Sequence, residues 1–243
     1  MGGFDEVRAD LKWAVRSLRK RPGFTAIAAL TLALGIGANS AIFTLVDAHF
    51  FEALPYDAPD ELVLVWETGR NGGDLTTVAP GNYWSWRDEA ESFVDIAAYN
   101  VDFGTLTGDG AAERVTASVV TPHFFDVLGA APMLGSGFDE TSVRESGAAQ
   151  VVLSHSLWTR RYGADPGVLG LDIQVDGRPH TVVGVMSEAF RQPERSLSWQ
   201  TTELWRPMLL EESRDDRGSR YLRTVARRRA DVSIEQARGE MEG

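Results

Sequence analysis

The 24 residues from Gly23 to Val46, GFTAIAALTLALGIGANSAIFTLV, contain no charged side chain. Few conformations suit such a stretch. As a helix rising ~1.5 Å per residue it would be about 36 Å long. A bilayer's hydrocarbon core is ~30 Å thick and takes about 20 apolar residues to cross. The sequence therefore predicts a transmembrane helix within residues 23–51, tilted to fit, with a short piece of chain before it and a long one after it.

The two pieces carry opposite charge. Residues 1–22 hold six basic side chains (Arg8, Lys12, Arg16, Arg19, Lys20 and Arg21) against Asp5, Glu6 and Asp10, a net of +3. The whole chain is −11, so the remainder is −14. Basic residues stay on the cytoplasmic side of a membrane, which places the N-terminus inside and the acidic bulk outside, in a periplasm or another extracytoplasmic space. An acidic outer domain binds nucleic acid poorly, because phosphate contacts need a basic surface. Cysteine is absent, which removes disulfides, thiolate nucleophiles and Cys-ligated metals. A cleaved signal peptide is the rival reading of the apolar stretch. Signal h-regions run only ~7–15 residues, however, and the apolar residues here continue past the small-residue site at Ala38-Asn39-Ser40 to Val46.

Residues 4–20 repeat apolar side chains at helical spacing (Phe4, Val7, Leu11, Ala14, Val15, Leu18) with charges between them. With Trp13, they predict an amphipathic helix at the cytoplasmic membrane interface, ended by Pro22-Gly23. It serves as an anchor flank or, on a sharper reading, as a surface for a cytoplasmic partner. Inside the apolar stretch, Ala33, Gly37 and Ala41 fall four apart, a spacing that lets helices approach closely, and Asn39 would favour a helix partner over lipid. GIGANS, at Gly35 to Ser40, nearly spells a dinucleotide fingerprint but lacks the strand context, so nucleotide binding is rejected.

The outer region predicts an α+β domain in two parts. Strands are expected at Leu62–Trp66, Phe93–Asn100 and Glu113–Val120. Helices are expected from Gly81 to about Ser92, with Tyr83 and Trp86 as core, and from Thr121-Pro122 to Gly129. This run fits helices on an antiparallel sheet. From Ala130 the composition turns to small residues and a second unit begins. It carries a strand and a Ser154–Gly163 helix, then a hairpin of Leu171–Val175 and Thr181–Met186 across Asp176-Gly177. A strand at Leu204–Met208, a polar connector at Asp215–Gly218, a strand at Tyr221–Arg228 and a helix from Val232 follow.

Catalytic patterns are missing. No Gly-Lys-Ser/Thr exists for a Walker A loop, and there is no HExxH. His49, His123, His155 and His180 lack ligand spacing. Ser154-His155-Ser156 supplies a serine and a histidine without the strained turn or orienting acid of a triad. No carboxylate pair stands out, and Arg227-Arg228-Arg229 reads as a solvated face. The residues therefore give no catalytic, cofactor-binding or metal site.

The run LKWAVRSLRKRPGFTAIAALTLALGIGANSAIFTLVDAHFFEALPY closely resembles the N-terminal signature of MacB/FtsX-type ABC-transporter permeases, especially the acidobacterial-type duplicated permeases. NYWSWRDEAESFVDIAAY, VTASVVTPHFFDVLGAAPMLGSGF, VVLSHSLWTRRYG, GLDIQVDGRPHTVVGVM and TVARRRADVSIEQARGEME resemble the periplasmic core domain of the same family. The resemblance covers nearly the whole chain in order. It implies a permease component, not an enzyme, in the cell (inner) membrane, with a cytoplasmic interfacial helix over 1–22 and a transmembrane helix over 23–51. A porter-like part would be built from 52–129 and 219–243, with an inserted subdomain over 130–218. Implied partners are the membrane, a separate cytoplasmic ABC ATPase subunit, a second permease copy and a periplasmic adaptor. The outer domain would transmit ATP-driven motion for export or envelope remodelling. Family permeases carry more membrane helices after this domain and none follows Val46 here, so the chain is expected to be an N-terminal fragment or a truncated product. A singly anchored binding or sensory module is the alternative.

Overall fold

The computed structural model describes residues 13, 16, 20–23, 25, 30–34, 56–69, 75–108, 110–193 and 201–242. The chain divides into two compact units, Met1–Ala53 and Leu54–Gly243.

In the first unit the described residues 13, 16, 20, 22, 23, 25 and 30–34 are helical. The Thr25 backbone N–H and its Oγ1 hydroxyl both donate to the Arg21 carbonyl at 3.0 Å. Leu30, Leu32 and Leu34 are 71%, 65% and 73% exposed. Among the described residues no helix is long and apolar enough to cross a membrane. Most of the stretch that the transmembrane expectation rests on, including Gly37, Asn39 and Ala41, lies outside the described residues, as does most of the interfacial helix over 4–20.

The second unit is a mixed α+β domain. Its strands and α-helices in order are β1 (Leu62–Val65), β2 (Glu67–Thr68), β3 (Leu75–Thr76), α1 (Pro80–Glu89), β4 (Phe93–Thr107), β5 (Glu113–Val120), α2 (Phe124–Leu128), β6 (Leu134–Gly135), α3 (Glu140–Glu145), β7 (Gln150–Leu153), α4 (His155–Tyr162), β8 (Asp172–Val175), β9 (Arg178–Val185), β10 (Leu204–Pro207), β11 (Arg223–Arg228) and α5 (Ile234–Met241). Nine strands form one sheet in the order β1-β11-β4-β5-β10-β7-β9-β6, with β8 bridging β4 and β9. β2 and β3 pair separately.

Alternation along the strands builds the core. In β4, Ala97 and Tyr99 join a cluster with Phe124, Phe125, Trp205 and Val225. Their neighbours Ile96 and Ala98 join another with Tyr83, Leu222 and Ala226. A third cluster, around Leu106, Val115, Leu153, Leu157 and Val185, fills the part built by β7 to β10. Tyr83 is fully buried and Trp86 packs against its cluster, so both are core residues.

The expected antiparallel pairing holds for β1, β11, β4 and β5. Beyond them the sheet is mixed, because β10 runs parallel to β5 and β7 parallel to β9. The hairpin of β8 and β9 forms as the Asp176-Gly177 pair predicts: both residues have positive φ, 53° and 73°, as a type I′ turn requires. The short strands β2, β3 and β6 were not expected, and one expected strand runs well past its bounds. β4 continues seven residues past Asn100, because its far half pairs with β5 and then β8. Gly104, which weakens the local strand signal, lies where an added Cβ would come within 3.1 Å of Val175 Cγ1.

Candidate functional site

Residues 56–61 lead the chain into β1. β11 is the antiparallel neighbour of β1, with Leu62 opposite Arg227. The end of β11 therefore lies beside the start of β1. β4 begins at the same pole, with Phe93 opposite Arg228. α5 stays there too, since the Glu240 carboxylate accepts the Glu91 and Ser92 backbone N–H groups at 2.6 and 2.9 Å. The segment that leads into the domain, β11 and α5 thus meet at one pole.

Three consecutive arginines knit that pole together. The Arg227 side chain is only 14% exposed. Its Nε donates to the Val127 carbonyl and its Nη2 to the Asp57 carbonyl, both at 2.9 Å, while Nη1 meets Glu61 Oε2 at 3.2 Å. Arg228 donates to the Asp60 carbonyl at 3.3 Å and to the carbonyls of Arg229 and Val232. Arg229 reaches the Glu91 carbonyl at 2.8 Å. Guanidinium suits this task, because its planar fork offers five donors at fixed angles and keeps its charge. The solvated-face reading of this run is corrected for Arg227 and Arg228. Both are half-buried, held against the Val127, Asp57 and Asp60 carbonyls.

Gly129 completes the junction. It caps α2 with φ +64°, as the sequence predicts. The structure adds a second demand on it. A Cβ there would lie 2.8 Å from Asp57 Cβ and 3.1 Å from Arg227 Nη2. The end of α2, the leading turn and the closing strand thus converge on a space that admits only glycine.

An aromatic cluster carries the junction toward the rest of the sheet. Phe190 and Trp205 meet edge-on at 5.3 Å, and both touch Phe125. Tyr56 donates its hydroxyl to the Arg191 carbonyl, Tyr99 to the Pro193 carbonyl at 2.5 Å, and Trp205 Nε1 to Gln192 Oε1 at 2.7 Å. Burial, with Tyr99 nearby, pushes the Tyr56 phenol up. The connector after β9 is therefore fastened to the same core as α2 and the leading turn.

Glu67 is a second buried anchor. Its carboxylate accepts the Ala79 N–H and Asn82 Nδ2 at 2.7 Å and pairs with Arg220. Burial pushes this carboxyl up, but the hydrogen bonds and the Arg220 charge outweigh it, so its pKa is lowered.

The other residues singled out by sequence do not converge. Ser154 caps α4, its Oγ accepting the Leu157 N–H at 3.1 Å with Ser156 Oγ at 3.0 Å, while the His155 ring packs edge-on against Trp158. This is helix-start geometry, and the triad reading gains no support from it. The three residues border a cleft of about 470 Å3 floored by Met186, Phe190 and Trp205. His180 lies against the Arg178 carbonyl, and His123 is half-buried near Tyr83. His49 lies outside the described residues. Among the described residues no group of three His, Asp or Glu side chains is placed to hold a metal.

Comparison with known proteins places this architecture. The sequence model of the MacB-like periplasmic core domain matches residues 25–243. The fold is similar to the periplasmic region of MacB from Actinobacillus actinomycetemcomitans, at 18% identity and TM-score 0.56 over 74% of this chain and 80% of that one. It is similar to a domain of a putative permease protein from Porphyromonas gingivalis, at 21% identity and TM-score 0.56 over the same shares. It is also similar to the extracellular domain of the noncanonic ABC-type transporter YknZ from Gram-positive bacteria, at 15% identity and TM-score 0.52 over 74% and 88%. At these identities the likeness is one of fold. Among curated proteins none matches.

Proposed function

The chain belongs to the family of MacB-like periplasmic core domains, and from that premise we propose that it is the membrane-anchored, motion-transmitting part of an ABC-transporter permease. In this reading Gly23–Val46 is the first transmembrane helix and residues 1–22 lie on the cytoplasmic face. Residues 52–129 with 219–243 form the porter-like part, and 130–218 the inserted subdomain. A separate cytoplasmic ATPase drives the motion, two permease copies work together, and a periplasmic adaptor receives it for export or envelope remodelling.

The junction at Arg227 is the observation that supports this reading. A domain whose leading segment is stapled to β11 and α2 at one pole moves as a unit when that pole is pulled or turned. The staple is made of charge-assisted hydrogen bonds, each about twice as strong as a neutral one. These 243 residues hold no cysteine, so a thiol placed among them is the only one in this region, and any cysteine elsewhere in the reading frame or the ATPase is replaced first. A spin label at exposed Asp215, introduced as Asp215→Cys, would be followed in the full reading frame reconstituted with its ATPase. The distance between labels on two copies is expected to change with ATP and return after hydrolysis. Distances that ignore nucleotide would refute the transmission reading. They would favour instead the singly anchored binding module, which the cleft beside Ser154 supports.

A further inference from the structure

His123 stands at the head of α2 as its N-cap residue, opposite the end that seats the Arg227 junction. Its Nε2 lies 3.0 Å from the Ile96 carbonyl and 3.3 Å from the Tyr83 hydroxyl. A carbonyl can only accept, so Nε2 carries the hydrogen and Nδ1 holds the free lone pair. Nδ1 is buried and has no hydrogen-bond partner. Protonation would have to occur there, putting an N–H and a positive charge where no acceptor waits, which is costly in a buried site.

The groups around the ring offer little relief. From α1 come Tyr83 and the Arg87 guanidinium, which as a cation opposes a second positive charge. From β4 comes Asp95, whose Oδ2 is 3.9 Å from Nε2. Its Oδ1 is already occupied by Arg87 at 3.0 Å and by the Ile96 N–H at 2.8 Å. Glu140 of α3 and Glu211 border the same crevice, but both are engaged by Arg144. On α2 itself the nearest acid is Asp126. Burial holds the His123 imidazole below the ordinary histidine range, and Asp95 only opposes that shift.

We propose that His123 is an acid-sensitive latch: a proton added at Nδ1 releases the head of α2 from α1 and β4, and with it loosens the Gly129 seat on which Asp57 and Arg227 rest. The latch is a property of this domain. Its meaning as a control on transmitted motion rests on the permease reading above.

The sign follows from linkage. The folded ring resists a proton that the unfolded chain accepts near pH ~6.5, so stability is present above that pH and falls as the medium acidifies. Between pH 8 and 5.5 the folded-to-unfolded ratio loses at most about tenfold from this group. Urea unfolding of the full chain in detergent, for wild type and His123→Gln, measures it. Gln keeps a donor toward Ile96 and does not titrate. The wild type is expected to lose several-fold more than the variant across this range, and equal losses would overturn the proposal. If the variant does not fold, hydrogen exchange on the wild type decides. After correction for intrinsic rates, residues 124–130 should lose protection at pH 5.5 while β5 keeps it, and unchanged protection in α2 would overturn the latch. Neither measurement involves nucleotide, so the outcome is separate from that of the spin-label test.

Discussion

Replacing Arg227 with Ala removes its three shorter bonds at once, to the Val127 and Asp57 carbonyls and to the Glu61 carboxylate, with a long contact of 3.5 Å to the Ala58 carbonyl. Hydrogen bonds to a charged group contribute about 1.5–3 kcal/mol each, but not all of this is lost. Glu61 is 28% exposed and can regain water, and the Asp57 carbonyl lies in an exposed turn. The Val127 carbonyl, below them, has less access to solvent. Allowing for this recovery, the net cost is about 2–4 kcal/mol. For a domain of this size each kcal/mol lowers Tm by roughly 2–4 °C, so the transition should fall by roughly 5–15 °C. Arg229→Ala is the control. It removes one bond from an exposed side chain to the Glu91 carbonyl, and should cost about 1 kcal/mol or less. Arg227→Lys should lie between, because a point charge reaches one of the three acceptors and cannot fork. Differential scanning fluorimetry of the full chain in detergent ranks all three. If Arg227→Ala costs no more than Arg229→Ala, the run is a solvated face after all and the junction is not what holds the pole.

Two further changes probe the same logic. Gly129→Ala must pay both the left-handed backbone, about 1–2 kcal/mol, and a clash with Asp57 and Arg227. Gly163→Ala, with φ +61° and open space around it, pays the first alone, so chemical denaturation should show Gly129→Ala as clearly the worse, and equal costs would contradict the packing described. Glu67→Gln should cost about 2 kcal/mol at neutral pH through the lost pairing with Arg220. Because the folded carboxyl is depressed below the unfolded value of about 4.3, its contribution is full above that pH and is lost as pH falls through the folded value. The variant should therefore lose less stability than wild type on acidification below pH ~4.5, measured by urea titration.

Local chemistry made several features readable in advance. Ser154 before a helical run and Gly163 after it delimit α4 as helix caps do, and both have that geometry. Asp176-Gly177 marked the β8–β9 turn, and Glu113–Val120 is a strand over the residues expected. The far half of β4 was hidden because Asp102 and Gly104 weaken its pattern, and only β5 and β8 justify it. α3 was missed because it is a short polar run, ETSVRE, just after the small residues of 131–138. Its Asp139 cap, accepting the Ser142 N–H, is the one local cue that could have exposed it. Nothing near Arg227 in the sequence marks its role, because its partners Asp57 and Glu61 lie 170 and 166 residues away. Gly129 was legible as a helix terminator and illegible as a contact.

The sequence alone determined the division into an apolar stretch, a basic leader and an acidic α+β region. These follow from transfer free energy, charge and short-range backbone preference, which each segment carries with it. It also carried the family, through segments spread along the whole chain. Only the tertiary structure decided that β1 and β11 are neighbours, that the second part joins the same sheet through β5 and β10, and that three arginines close the pole. Those outcomes depend on which distant surfaces meet, and the buried Val127 carbonyl at the end of α2 is satisfied by the guanidinium that the fold brings to it.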